Sequence, residues 1–416
     1  FSIMKKVVLC ASALMFGAVA FAQQNTSTGS QSGTANTGDV YQAGTMNKAN
    51  LVQNGTTNSS ESSQYGANNL VKVDQVGTSN TSSAIQEGGS DNKAYVDQDD
   101  LGNNSTIIQG TGMAAVGNWA KVTQSGSTDV ATGNDATVKQ TYDQSKADVN
   151  QTGDDNHAKV TQVGKPNQPG APNGRFPRNE ADVDQMGSGN KARVDQESYA
   201  VSGDKNMAKI YTNGIDNLAV VEQIATQGNR ATITQENNYA EAYVDQDSDD
   251  NKATINQTGN DVDLTAGNGD KAVVHQMGST GNNAVVNQES IDPYGDPGSY
   301  ARVLQDGADN LARVNQTTRG QEAFVHQMGT DNTVDVSQSG YSQYADLYQN
   351  GTDHKIDLTQ GWSQGSAIIS QFGTGHSATH TQGGGGSNSV TALQEDFPGQ
   401  GTLDLTPEVR TTPSGY

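Results

Sequence analysis

Along almost the whole chain, short bursts of small or branched apolar residues alternate with polar ones, as in Ala192-Arg193-Val194-Asp195-Gln196. A period of two marks a β-strand with one buried face rather than a helix. Ala, Val and Gln are therefore expected to point inward. Each burst leads into a Gly-x-x-Asn segment such as Gly187-Ser188-Gly189-Asn190. These residue types tolerate positive φ and bond their own backbone in tight arcs. The predicted unit is a strand followed by an arc.

The units recur in register. Gln31, Gln42, Gln53, Gln64, Gln75 and Gln86 follow one another at a constant spacing of 11, as do Gln305, Gln316, Gln327, Gln338, Gln349, Gln360, Gln371 and Gln382. Between these runs the register passes through Gln98, Gln109, Gln124, Gln140, Gln151, Gln162, Gln185, Gln196, Thr212, Gln223, Gln235, Gln246, Gln257, Ala266, Gln276 and Gln288, and it ends at Gln394. Of these 31 positions 29 are Gln, and 19 of the 30 intervals equal 11, so chance is excluded. One strand of about five residues buries too little to stand alone. Stacking like units pairs each backbone with the strands above and below and builds ladders of Gln on Gln, Asn on Asn and Val on Val. The fold class expected is all-β: a β-solenoid of about 15 two-strand coils, strand-arc-strand, on the order of 70 Å long at one rung per ~4.8 Å and able to stack into a cross-β fibre.

Nine intervals are longer than 11, and seven of them follow an even-numbered position, as expected if each coil has one strict and one permissive arc. The longest excursion, residues 165–180 with Pro166, Pro169, Pro172 and Pro177, is read as a surface loop because the register resumes at Gln185. Two short intervals around Ala266 suggest a tightened coil.

Composition limits what such a chain does. Only 32% of its 416 residues are hydrophobic, which excludes a large apolar core. Low hydropathy with a formal charge of −22 would place it among disordered chains were it not for the repeat. With 24 Lys and Arg against 46 Asp and Glu, neither nucleic acid nor an anionic membrane is expected as a partner. Lys5 and Lys6, the apolar run Val7 to Phe21 and the site Ala20-Phe21-Ala22 read as a secretory signal peptide cleaved between Ala22 and Gln23, with Phe1 to Ile3 upstream of its start. Cleavage removes Cys10, the single cysteine, so no disulfide is expected, and loss of the two lysines takes the charge from −22 to −24. No other long apolar segment follows, so membrane insertion is not expected. The remainder divides into a flexible targeting tail over 23–30, the solenoid over 31–394, and a degenerate strand and tail over 395–416.

The unit Gln-x-Gly-x-x-Asn-x-Ala-x-x-x-Gln behind a secretory signal resembles the curlin repeat, over about Gln31 to Gln394. The motif is carried by Gln151, Gly153, Asn156, Ala158 and Gln162 in one unit, by Gln185, Gly187, Asn190, Ala192 and Gln196 in another, and by Gln305, Gly307, Asn310, Ala312 and Gln316 in a third. The resemblance implies export as an unfolded chain through a dedicated outer-membrane pore with chaperones, nucleation by a minor curlin subunit, and assembly with copies of itself into extracellular amyloid fibres of a biofilm matrix. This chain departs from the pattern in having several times more units, frequent Asp before Gln, and inserted loops.

Outward positions carry charge: Asp74, Asp97, Asp184, Asp195 and Asp245 precede the register Gln, and Lys48, Lys93, Lys191, Arg230 and Lys252 follow the arc Asn. Exposed pairs contribute only tenths of a kcal/mol, but net charge keeps a secreted monomer soluble. Pro398 and Pro407 flank Leu403-Asp404-Leu405 and are expected to weaken docking at that end.

Nothing in the sequence reads as catalytic, and no cofactor or metal is expected. His157, His275, His326, His354, His376 and His380 are scattered; only the last two have a spacing of four, and on a strand they lie far apart. The Gly-Gly-x-Gly-x-Asp calcium motif is absent, and the glycine run 383–386 lacks the Lys-Ser/Thr of a phosphate loop. Trp119 and Trp362 are read as outward packing or fibre contacts. The reading favoured is a self-assembling structural subunit, with a monomeric solenoid adhesin as the alternative. An ice-binding solenoid would need a regular Thr array, which Thr123, Thr161, Thr234 and Thr359 only hint at.

Overall fold

A computed structural model describes residues 24–110, 115–142, 144–164, 179–198, 205–225, 227–259, 269–290, 298–383 and 387–396. The signal segment, Ala266, Pro398, Pro407 and most of the proline-rich loop lie outside these residues. Thirty strands are described, numbered from β1 (Thr26–Thr34) to β30 (Asn388–Glu395), with one 3-10 turn at Val130–Thr132 and no α-helix among the described residues.

The chain forms two compact units, Phe1–Ile210 and Tyr211–Tyr416, divided within β15 (Met207–Ile215). In the first, odd-numbered strands from β1 to β13 (Glu180–Ser188) make one parallel sheet, and even-numbered strands from β2 (Thr37–Thr45) to β14 (Lys191–Ser198) make the other. In the second, the odd strands from β17 (Arg230–Glu236) to β29 (Ser377–Gln382) and the even strands from β16 (Leu218–Ala225) to β30 repeat this arrangement. Every second strand returns to the same sheet, which is a β-solenoid whose thirty described strands make 15 two-strand coils.

Alternation sets the interior. In β12 (His157–Val163) the buried residues are Ala158, Val160 and Gln162, and they stack on Ala192, Val194 and Gln196 of β14. Most strands therefore bury a small or branched apolar residue, a branched aliphatic and a Gln, with exceptions such as Ser60 and Ser62 of β4 (Ser59–Ala67). Burying one Val or Ile contributes about 1.5–3 kcal/mol, so the aliphatic column supplies cohesion while the amides supply the register.

Four expectations change. Residues 26–30, read as tail, form the first half of β1, paired to β3 (Lys48–Thr56) from Thr26↔Lys48 onward. Backbone pairing needs no apolar side chain, and the Thr28 hydroxyl donates to Asn50 Oδ1 at 3.1 Å. Glu180, placed at the end of the loop, opens β13. The degenerate strand expected at Leu403-Asp404-Leu405 lies outside the described residues, whose last strand is β30 with Gln394. Around Ala266 there is no tightened coil, because Gln246 stacks on Gln276 and Gln257 on Gln288. The interval from 257 to 276 is thus a single long one, and the parity of later positions shifts. Long intervals then follow even positions six times in ten, so strand pairing, and not arc parity, is the argument for the two-strand coil.

Candidate functional site

The arcs bring each chain segment round on two residues of positive φ. The first is the motif glycine, such as Gly153 (φ 111°), Gly187 (φ 100°) or Gly307 (φ 131°). A Cβ on Gly153 would lie 2.1 Å from the carbonyl oxygen of Gly187 in the next coil, so close stacking as well as φ demands glycine there. The second lies immediately before the ladder Asn and is often Asp, as at Asp155, Asp309 and Asp331. The sequence reading missed this position as a separate requirement, although recurrent Asp, Asn or Gly there is its signal.

Two amide ladders run through the coils. Gln53 Nε2 donates to Gln75 Oε1 (2.9 Å) and to the Thr37 carbonyl of the opposite sheet (2.7 Å), and Gln64 bonds likewise to Gln86 (3.0 Å) and Lys48 (3.0 Å). Gln151 also reaches forward to the Asn156 carbonyl at 2.9 Å. Each amide thus ties coil to coil and sheet to sheet. Gln75, Gln162, Gln185, Gln196, Gln305, Gln316, Gln327, Gln338, Gln349, Gln360 and Gln371 are buried in the same way, Gln382 is 6% exposed, and Gln42 is half-buried near the first edge. Thr212 occupies a Gln position in β15 and is also buried. The Asn ladder lies in the arcs. The Asn190 N–H donates to Asn156 Oδ1 (3.2 Å), while Asn190 Nδ2 donates to Asn156 Oδ1 (3.0 Å) and to the Met186 carbonyl (2.8 Å). Asn310 is held in the same manner below Asn332. Ala158, Ala192 and Ala312 leave room beside these amides and are at most 5% exposed.

In the second unit other residues replace Asn, including Gln321, Gln343 and, on the odd sheet, His354 and His376. The imidazoles of His354 and His376 stack at 5.2 Å with their planes 2° apart, and the His376 N–H donates to His354 Nδ1 at 3.2 Å. His354 Nε2 donates in turn to the Asn350 carbonyl at 3.3 Å. His376 Nε2 lies 3.1 Å from the Asp396 carboxylate. His380 sits instead at an inward position above Leu358, so the two histidines of spacing four share no site.

Burial holds His354 below its ordinary value, with His376 acting in the same direction. A value lowered in the fold means that the unfolded chain takes up the proton first as pH falls. The stability tied to neutral His354 is therefore complete above about pH 6.5 and is lost as pH drops below it. Going from pH 7.5 to 5 should lower the protection of the amides of β27 (Lys355–Ser363) and β29, measured against the intrinsic exchange rate at each pH. His354→Asn, which restores the ladder residue, should remove the difference, and an equal loss of protection in both chains would refute the assignment.

Outward charges are less regularly compensated than the sequence suggested. Lys146 pairs with Glu180 (3.0 Å), Lys271 with Glu241 (2.7 Å) and Arg313 with Asp335 (3.1 Å), all between neighbouring rungs of one sheet. Burial alone would raise Glu180, but hydrogen bonds from Lys205 and Lys146 outweigh it and hold the carboxyl low. Elsewhere like charges stack, as Asp74 on Asp97 and Asp148 on Asp182. Burial, then Asp247 and Glu222, push Asp245 up to about 7.

Trp119 packs outward against Tyr95 at 6.0 Å and beneath the Lys146 ammonium, whereas the Trp362 side chain lies outside the described set. The four threonines do not form an array: in the first unit Thr123 lies on the odd sheet and Thr161 on the even, and in the second Thr234 and Thr359 lie on β17 and β27.

The ladders are polar, because where one Gln stacks on the next the Nε2 of the earlier residue donates to the Oε1 of the later one. At the first rungs Gln31 Oε1 and Gln42 Oε1 meet no donor among the described residues. At the last, Gln382 Nε2 donates to the Ser366 carbonyl (3.0 Å) and Gln394 Nε2 to the Ser377 carbonyl (3.1 Å), which leaves one N–H of each free to point onward. Among the described residues β1 and β30 pair with a neighbouring strand on one side only, and no helix among them is long and apolar enough to cross a membrane.

Five segments, residues 45–77, 66–99, 131–164, 177–212 and 329–361, match the family model of the curlin associated repeat. Each spans about three strand-arc units. A search of curated proteins finds no match.

Proposed function

Because the chain is a curlin-repeat protein, we propose that it is the structural subunit of extracellular curli-type amyloid fibres, adding copies end to end to build biofilm matrix and to attach it to surfaces. The observation that carries this reading is the polarity of the Gln ladder. Open acceptors at Gln31 and Gln42 are complementary to open donors at Gln382 and Gln394, so a second copy can continue both ladders in register. An uncovered strand edge is a template for another chain, and a row of identical buried amides makes that joint as specific as the interior. Release from the cell by a secretory signal, passage through a curli pore with its chaperones, and nucleation by a minor curlin subunit belong to the same proposal. No catalysis is assigned to it.

The experiment is to incubate residues 23–416 at micromolar concentration and follow thioflavin fluorescence together with fibre diffraction. Seeded growth and a reflection near ~4.7–4.8 Å support the proposal. A stable, strand-rich monomer under the same conditions refutes it in favour of an adhesin or ice-binding solenoid.

The formal charge of −22 makes assembly dependent on salt. Raising ionic strength from 0.01 to 0.1 M shortens the screening length from about 30 to about 10 Å. The lag before fibre growth should contract accordingly, and a lag independent of salt would remove charge repulsion from the account.

A further inference from the structure

Three ligand-bearing side chains far apart in sequence meet on the outer face of the even sheet in the second unit. Asp245 lies in β18 (Glu241–Gln246), Asp247 follows two residues later on the same face, and His275 lies in β20 (Lys271–Met277) directly beside Asp245 in register. His275 Nε2 is 3.2 Å from Asp245 Oδ2 and 3.9 Å from Asp247 Oδ2, and one ligand atom from each of the three lies within 4.8 Å of the other two.

From this geometry we propose that Asp245, Asp247 and His275 form a binding site for a divalent transition-metal ion, Zn2+ foremost. An ion with bonds of about 2.0–2.2 Å to nitrogen and oxygen holds tetrahedral ligands about 3.3–3.5 Å apart, and the measured separations bracket that edge. An imidazole with two carboxylates suits zinc and its neighbours rather than calcium or magnesium, which take oxygen ligands.

An independent observation lies in the imidazole itself. His275 Nε2 is itself screened from water and faces the two carboxylates, on a side chain that is 29% exposed. A metal ion replacing the proton on this nitrogen would be held by the same imidazole and the same two carboxylates. Among the described residues neither carboxylate pairs with a Lys or Arg, so no fixed cation competes for the position. The scaffold is suited to the task, because Asp245 and His275 are held on adjacent hydrogen-bonded rungs and Leu304 closes the far side of His275. By contrast, His157 meets Asp135 through Nδ1 and Asp155 through Nε2, on opposite sides of its ring, and forms no converging set.

The test is calorimetric titration of ZnCl2 into the freshly prepared soluble chain, residues 23–416, in a non-coordinating buffer. Co2+ absorption then serves as a second readout of imidazole coordination. One equivalent should bind, with affinity falling at least tenfold in both His275→Gln and Asp247→Asn and unchanged in His157→Gln. The Co2+ bands should vanish in His275→Gln while its circular dichroism stays strand-rich. Amide exchange in β18 and β20 should slow on Zn2+ addition to the unsubstituted chain. Zn2+ affinity unchanged in His275→Gln, or no binding below millimolar Zn2+ to the unsubstituted chain, overturns the proposal.

Discussion

Replacing Gln327 by leucine will destabilise the second unit by roughly 3–5 kcal/mol, far more than a surface change in the same coil. Its Nε2 donates to Gln349 Oε1 (3.0 Å), to the Leu311 carbonyl (3.0 Å) and to the Asn332 carbonyl (2.9 Å), and its Oε1 accepts from Gln305 (2.9 Å). Leucine has similar volume and gains some apolar burial. It nevertheless leaves Gln349 Oε1 without its donor, Gln305 with one acceptor fewer, and the Leu311 carbonyl without its cross-sheet bond. Each buried group deprived of a partner costs about 1–3 kcal/mol. The Asn332 carbonyl is less affected, since it still accepts the Leu311 N–H at 2.8 Å. Gln394→Leu is the control, because Gln394 lies at the last rung with Gln371 on one side only. Urea unfolding followed by circular dichroism, with amide exchange to locate the loss, should show the damage centred on β22 (Tyr300–Ala308), β24 (Glu322–Thr330) and β26 (Tyr344–Thr352) for Gln327 and little change for Gln394. Equal effects would mean that the ladder amides act as filler and not as connectors.

The same residues show why much of this fold was legible in the sequence. Gln327 stands midway between Gln316 and Gln338 in an unbroken run of equal intervals, and a strand of period two joined by a Gly-x-x-Asn arc has few ways to repeat at that spacing other than coiling. The burial of the ladder follows from the alternation alone. Four features were hidden for physical reasons. Where an arc is lengthened, the interval no longer identifies the next rung, and Ala266 was given a place that the pairing of Gln257 with Gln288 denies it. The cluster of Asp245, Asp247 and His275 was hidden similarly, because its members become neighbours only after the insertion between β19 (Lys252–Gly259) and β20 is assigned to an arc. The first half of β1 was missed because its pairing is made through backbone and hydroxyl bonds, which leave no hydrophobic trace. His354 and His376 looked scattered because the arc position they take over from Asn has no apolar signature.

Gly329→Ala will cost about as much as loss of a ladder amide, on the order of 3–5 kcal/mol, although it adds only one methyl group. With φ of 102° this glycine is already in a region that side chains avoid. The greater difficulty is space, since its Cβ would lie 2.0 Å from the Gly351 carbonyl oxygen and 2.9 Å from the carbonyl carbon. Backbone cannot rotate away like a side chain. The Gly351 oxygen also accepts from Asn332 Nδ2 at 3.1 Å, so moving it pulls on the Asn ladder. A Cβ on Gly351 would in turn meet the Gly373 oxygen at 1.9 Å, so the displacement has no slack to enter in the next coil. Gly375 separates strain from contact. Its φ is 72°, but a Cβ there meets nothing within 4 Å. It occupies the arc position at which Asp331 and Asp353 already adopt φ of 57° and 59°. Gly375→Ala should therefore cost only the left-handed backbone penalty of about 1–2 kcal/mol, and Gly375→Asp less, since Asp is among the residues that visit this conformation. Urea midpoints of the three variants, measured on the soluble chain, should rank Gly329→Ala lowest by a wide margin, with exchange in β24 and β26 accelerated in that variant alone. If Gly329→Ala and Gly375→Ala unfold together, the glycines at the head of each arc are there for φ, and the close approach of successive coils places no further demand on the sequence.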